Sequence, residues 1–293
     1  MNTNSPYIHT FTAMTVPCEV QLFSPDAAHI ARRIEANTRR LEQVFNFYDP
    51  ASMLSQQLNR RQSSWVALDE ESQAIFSAVR AHSSACNGIF DITIGTVKHW
   101  QRQSPSLAKQ AIYQQASPYM GLNAWQLEAD GIRFHHSHTR VDLGGVIKEV
   151  AVDQAVEIAL AAHVDGILVN FGGDLRVAGG KPDGSDFVVA VRNPRDPSQP
   201  LFALPLRDQA LTTSAHYARQ HQFSDQQTSH ILAAQGTHHQ VLSATVVAPT
   251  ALQAGIFSTA LTIDPTLAVS DPVGFALVDH QLNVHQDTRF LTS

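Results

Sequence analysis

Apolar residues recur along this chain with two periods, and the switches between them mark its elements. Residues 18–23, CEVQLF, alternate as a half-buried strand does. Between Ala27 and Tyr48, the positions Ile30, Ile34, Leu41, Val44 and Phe45 fall largely at helical spacing. A second helix fits 70–87: Asp69 can cap it, Glu70 and Glu71 suit the positive end of its dipole, and Gly88 suits its stop. Weaker periodicity predicts a helix over 107–116, before Pro118. A helix beginning near residue 146 and running to 163 puts Val146, Val150, Ala151, Ala155, Ile158 and Ala159 on one face. Another fits 251–263, capped by Thr250.

The strand period returns between these helices. The stretch WQLEADGIRFHH (125–136) alternates on both sides of Asp130-Gly131, the turn chemistry of a hairpin. Further strands are expected at 166–171, 187–192, 201–206, 244–249, 275–279 and 282–286. Residues 48–60 read as a loop leading to a short helical turn. Helices and strands are interspersed and hairpins are frequent, so the pattern favours an α+β fold with mixed or antiparallel sheets. With neither repeats nor obvious linkers, a single compact unit over residues 1–293 is expected.

Composition narrows the function classes. A chain of 293 residues can bury a substantial core. Its net charge of −6, with no basic run, argues against a nucleic-acid partner. Fifteen histidines make it more positive below about pH 6.5. Cys18 and Cys86 lack metal-type spacing; two buried reduced thiols are the expectation, with a disulfide left open. The N-terminal residues lack the pattern of a secretory signal or lipid-modified cysteine, and no stretch approaches the roughly 20 apolar residues of a membrane span. A cytoplasmic protein is expected.

Candidate chemistry concentrates at two glycine pairs. In VDLGGVIKEVAVDQA (141–155), Gly144-Gly145 stands at a helix entrance, where free amides attract anions. Asp142 could hold a base, a ribose or a cation, and Lys148 a phosphate. On the plainer reading Asp142 caps the helix, the glycines make the turn, and Lys148 is solvated. In VNFGGDLRVAGG (169–180), a strand runs into Gly-Gly-Asp, so Asp174 is either functional or a turn residue. Asp91, between Phe90 and Ile92, is costly to bury without a partner. No nicotinamide-type G-x-G-x-x-G, P-loop or G-x-S-x-G elbow is present. The histidines at 135–138 and 238–239 are expected to face solvent, as are Arg32, Arg33, Arg39 and Arg40.

Taken in order, the stretches AMTVPCEVQLF, YDPASMLSQQLN, GIFDITIG, VDLGGVIKEVAVD, VNFGGDLRVAGG, ALTTS, SHI and VVAPTALQAGIFSTAL resemble the ApbE family, over nearly the whole chain. That resemblance implies an ApbE-like, T-fold-related architecture. It also implies a flavin transferase activity: FMN moves from FAD to a threonine or serine hydroxyl of an acceptor flavoprotein, with Mg²⁺ beside the pyrophosphate and AMP leaving. Carried over by position, Met14, Tyr48, Ile89, Phe90, Asp91, Asp142, Lys148 and His230 would contact FAD. Gly145 would offer a backbone oxygen to the metal, and Ser258 and Thr259 would close the metal site.

The chain departs from the family pattern in several places. The family has an acidic metal ligand four residues before the threonine, where this chain has Gly255. Glu149 replaces a common glycine after Lys148, Ala215 stands where glycine is usual, and the glycine after Met14 is missing. Ala233 and Ala234 replace the Asp-Pro after the histidine. Two readings follow: a working transferase, or a catalytically weakened relative that binds FAD or another nucleotide, or serves as an interaction subunit.

Overall fold

A computed structural model of the protein describes residues 5–196, 198–215, 220–222, 227–229 and 241–290. Its strands are β1 (Tyr7–Ala13), β2 (Val16–Phe23), β3 (Trp65–Ala67), β4 (Trp125–Glu128), β5 (Gly131–Phe134), β6 (Gly166–Phe171), β7 (Asp174–Gly179), β8 (Phe187–Arg192), β9 (Pro200–Leu206), β10 (Ala210–Ala215), β11 (Gln220–Gln222), β12 (Gln227–Ser229), β13 (Val241–Ala248), β14 (Gly274–Asp279) and β15 (Val284–Gln286). Its helices are α1 (Ala27–Val44), α2 (Glu70–Ala85), α3 (Gly95–Gln103), α4 (Lys109–Ala116), α5 (Ile147–Leu160) and α6 (Ala251–Ile263).

The main sheet has eight strands in the order β1-β2-β6-β7-β10-β13-β14-β15, with antiparallel pairing throughout. Strand alternation sorts its side chains between two faces. Ile167, Val169 and Phe171 of β6 and Ala244, Val246 and Ala248 of β13 join the larger core with α1, α5 and α6. On the other face, Leu175, Val177, Leu211 and Val247 pack under the β8–β9 hairpin with Phe187 and Leu206. The smaller β3-β5-β4 sheet meets α2, where Phe76 and Trp125 stack edge-on with centroids 6.0 Å apart.

Several sequence expectations hold. Asp69 accepts from Ser72 N at 2.7 Å and caps α2, while Gly88 ends it at φ +73°. Thr250 caps α6, and the 125–136 hairpin forms, but its turn residues are Ala129-Asp130 rather than Asp130-Gly131, with Gly131 already paired to Glu128 in β5. Other expectations need correction. α1 stops at Val44 rather than Tyr48, because Asn46 Oδ1 gathers the amides of Tyr48 and Asp49 at 2.9 and 3.3 Å into a turn. α5 stops at Leu160, short of 163. β1, β7, β10 and α3 were not expected. β1 is an edge strand, so most of its alternate positions are exposed or partly exposed and its apolar signal is weak. α3 opens with Gly-Thr-Val, poor helix formers that only tertiary packing holds in register.

Candidate functional site

The site is built where α5 passes α6. Asp153, inside α5, accepts the first free amides of α6, Ala251 N at 2.8 Å and Leu252 N at 2.9 Å. This is an N-terminal cap supplied from another helix, and it supports the positive end of the α6 dipole. One turn earlier on α5, Glu149 lies against Gly255, one turn later on α6: a Cβ built at Gly255 would lie 2.8 Å from Glu149 Cγ. The two helices therefore run antiparallel, with 153 beside 251–252 and 149 beside 255.

Neighbouring strands add polar groups to this junction. Asp174, first in β7, pairs its Oδ2 with Lys148 Nζ. The charges are 7% and 18% exposed at the side chain, so Lys148 is not solvated and Asp174 is more than a turn residue. The glycine pair before Asp174 forms the β6–β7 turn, at φ +67° and +103°. A Cβ at Gly172 would meet Val16 at 2.9 Å, so only glycine allows this turn to lie on β2. From β10, Ser214 Oγ lies 2.8 Å from Ser258 Oγ and 3.2 Å from Thr259 Oγ1, and Ser258 donates to Gly255 O at 3.1 Å.

On the other side of the Gly144-Gly145 turn, Asp142 does not cap α5; the residue at that position is Val146, which makes no side-chain cap. The Asp142 carboxylate instead accepts from Gly144 N at 2.8 Å, shaping the turn, and pairs with Lys98 Nζ of α3. Burial works against the Lys98 charge, yet Asp142 and Tyr48 hold its pKa above the ordinary lysine value. The exposed Tyr48 ring lies 5.9 Å from this ammonium and 5.0 Å from the Arg102 guanidinium. It borders a cavity of about 500 Å³ lined also by Arg60, Arg61, His99 and Arg140. Burial first, and the neighbouring Arg140 second, pull Arg61 down to about 10, while its guanidinium donates to the carbonyls of Leu58, Thr139 and His136. Lys98, Glu149, Asp153 and these arginines were not picked out as site residues, since residues far apart in sequence meet here.

The remaining expected residues fall as follows. Phe90 packs on the turn, its Cε2 3.4 Å from a Cβ built at Gly145, and Ile89 packs against the same core. The Asp91 carboxylate accepts from Thr93 N (2.8 Å), Thr93 Oγ1 (2.6 Å) and Gly121 N (3.0 Å). These bonds tie the 91–93 turn to Gly121, while burial pushes the Asp91 pKa up against those donors. Met14 stands in the β1–β2 turn at φ +51°, its N–H donating to Glu42 Oε1 at 2.6 Å. Because Cys18 pairs with Phe171, this turn and the Gly172-Gly173 turn share one end of the sheet. His230 lies outside the described residues, as do Ala233, Ala234 and the histidines at 238–239. Cys18 and Cys86 are buried free thiols. His135, His136 and His138 are exposed.

Among the described residues, no group of three or more His, Cys, Asp or Glu side chains is placed to hold a metal ion. The α5–α6 junction offers a different donor set: serine and threonine hydroxyls, backbone carbonyls and carboxylates, the hard oxygens that suit Mg²⁺. Thr212 stands two residues before Ser214 on the same face of β10. Its buried hydroxyl has no hydrogen-bond partner among the described residues. An orphaned oxygen beside this cluster fits a site completed by a bound group.

The antiparallel sheet, the glycine turn and this oxygen-lined junction coincide with a match of the ApbE family model to residues 14–271, and the chain belongs to the ApbE family. A relative in Chlamydia trachomatis, an FAD:protein FMN transferase, is 24% identical over 265 residues, covering 85% of this chain and 81% of the relative. The FAD:protein FMN transferase of Salmonella typhimurium is 26% identical over 218 residues, covering 70% of this chain and 62% of the relative. Among solved structures, the ApbE protein of Thermotoga maritima shares the fold with a TM-score of 0.86, 22% identity and 98% coverage of both chains. The flavin transferase ApbE of Vibrio cholerae does so at 0.83, with 17% identity and 98% coverage of both. Among the described residues, no helix is long and apolar enough to cross a membrane.

Proposed function

We propose that this protein is an FAD:protein FMN transferase that uses Mg²⁺ to move FMN from FAD to a threonine or serine hydroxyl of an acceptor protein. One P–O bond forms to the acceptor oxygen as the P–O bond to AMP breaks, and the acceptor proton leaves to solvent or a nearby base. The observation that carries this reading is the cluster of Ser214, Ser258 and Thr259 hydroxyls where β10 meets α6, on the helix that crosses α5.

Ser258, Thr259 and the Gly145 carbonyl would hold the metal, whose chemistry here is to neutralise charge on the phosphate being transferred. Lys148, held by Asp174, places a positive charge beside the turn. Asp142 fixes the turn through the Gly144 amide and orients Lys98 toward Tyr48. The Tyr48 ring and the surrounding arginines would accept an aromatic, phosphate-bearing ligand. Phe90, Ile89 and Met14 would supply apolar walls, and His230 a further contact with FAD.

Purified protein incubated with FAD, Mg²⁺ and a threonine-bearing acceptor peptide should gain the mass of an FMN group on the peptide. Gly255 favours the second reading, a weakened relative. FAD binding without mass gain would support that reading for the acceptor used, and undetectable FAD binding would leave an interaction role.

A further inference from the structure

We infer that Ser214 of β10 is a positioning residue of the cation site: its hydroxyl accepts the hydrogen bond of Thr259 and so turns the Thr259 lone pairs outward to the metal. The inference rests on the proposed metal-assisted function, in which Thr259 is a ligand, and adds a residue that acts through it.

The contact joins a strand to a helix. β10 pairs with β13, and its register sets Ser214 opposite Ala244, so the strand ladder fixes where the Ser214 oxygen stands. Consecutive side chains of a helix point about 100° apart. Ser258 and Thr259 of α6 nevertheless both reach Ser214 Oγ, at 2.8 and 3.2 Å. One strand oxygen therefore sits between two helix hydroxyls. Ser258 is buried, whereas Ser214 and Thr259 are partly exposed, so Thr259 is the outer end of this chain of hydroxyls.

The inner end sets the direction of donation. Each hydroxyl has one proton to give and two lone pairs with which to accept. The Gly255 carbonyl can only accept, and Ser258 donates to it at 3.1 Å. With that proton committed, the Ser258–Ser214 contact is made by the Ser214 proton, and the Ser214–Thr259 contact by the Thr259 proton. Donation thus runs from Thr259 to Ser214, on to Ser258, and ends on the Gly255 carbonyl. The Thr259 proton lies against β10, and its lone pairs are left for a cation. Each donation polarises the next, which makes the Thr259 oxygen a better donor to a hard ion such as Mg²⁺. The reverse order would aim the Thr259 proton away from β10 and spend one of its lone pairs on Ser214.

Mn²⁺ binding followed by electron paramagnetic resonance, with FAD present, tests this without reading turnover. Wild-type protein should bind Mn²⁺, and Ser214→Ala should weaken that binding by about tenfold, as expected when a metal ligand loses its supporting hydrogen bond. Ser214→Thr keeps the hydroxyl and should stay within about threefold of wild type, while its isostere Ser214→Val should match Ser214→Ala. Because Ser214 acts through Thr259, Ser214→Ala should change affinity by less than about twofold in a Thr259→Val background. Wild-type affinity in Ser214→Ala, full additivity with Thr259→Val, or equal affinities in Ser214→Thr and Ser214→Val would overturn the inference and leave the transferase reading standing. No Mn²⁺ binding by the wild type would overturn both. Should Ser214→Ala not fold, the isosteric pair decides: a gap of about tenfold in favour of Ser214→Thr supports the inference, and its absence overturns it.

Discussion

Gly255→Ala is the sharpest structural perturbation, because two effects of known sign oppose each other there. Within a helix, replacing glycine by alanine normally stabilises by about 1 kcal/mol. Here the added methyl would lie 2.8 Å from Glu149 Cγ and 3.2 Å from its Cδ, distances that force a shift. Glu149 is 5% exposed, so its side chain cannot swing into solvent without opening the α5–α6 contact. Overpacking of this kind costs about 1–3 kcal/mol, which leaves a net loss of roughly 0–2 kcal/mol. In a Glu149→Ala background the clash is gone, and the same substitution should stabilise by about 1 kcal/mol. The double-mutant cycle should therefore give a coupling of about 1–3 kcal/mol. Urea unfolding followed by circular dichroism, in metal-free buffer at one pH, measures all four proteins. A full gain of about 1 kcal/mol from Gly255→Ala in the wild-type background would refute the packing of Glu149 on Gly255.

Two further outcomes are expected. Thr15, a β-branched residue at φ +64° in the β1–β2 turn, carries strain that glycine would relieve; Thr15→Gly should raise stability by about 1 kcal/mol in the same unfolding assay. Burial pushes the Asp153 carboxyl up to about 6, helped by Glu149 and opposed by the Leu252 and Ala251 amides and Arg176. A pKa raised above its unfolded value gives stability that is fully present below that value and lost as pH rises through about 6. Relative to Asp153→Asn, the wild type should therefore lose stability between about pH 4 and 6 and level off above, read from thermal unfolding across that range.

Much of the scaffold was legible because local rules and tertiary structure agree. Asp69 and Thr250 cap the helices that follow them, and the hairpin expected over 125–136 forms, its turn one residue earlier than Asp130-Gly131. The order of the glycine turns and the final helix motif carried the family resemblance, which the family match over residues 14–271 bears out. β7 was hidden because a Gly-Gly-Asp turn looks the same whether or not a strand follows it. Asp142 looked like a helix cap by position, yet its carboxylate is held by Lys98, forty-four residues away in sequence.

The sequence alone determined the kinds of element and the family, since periodicity, turn chemistry and motif order are all local along the chain. It also held Gly255 and Glu149, but as isolated residues with nothing to relate them. Only the tertiary structure decided that these two residues face each other: the antiparallel crossing of α5 and α6, with Asp153 seated on the amides of Ala251 and Leu252, brings Glu149 against Gly255. Helix register between segments about a hundred residues apart depends on packing against the shared sheet, and no local pattern encodes it.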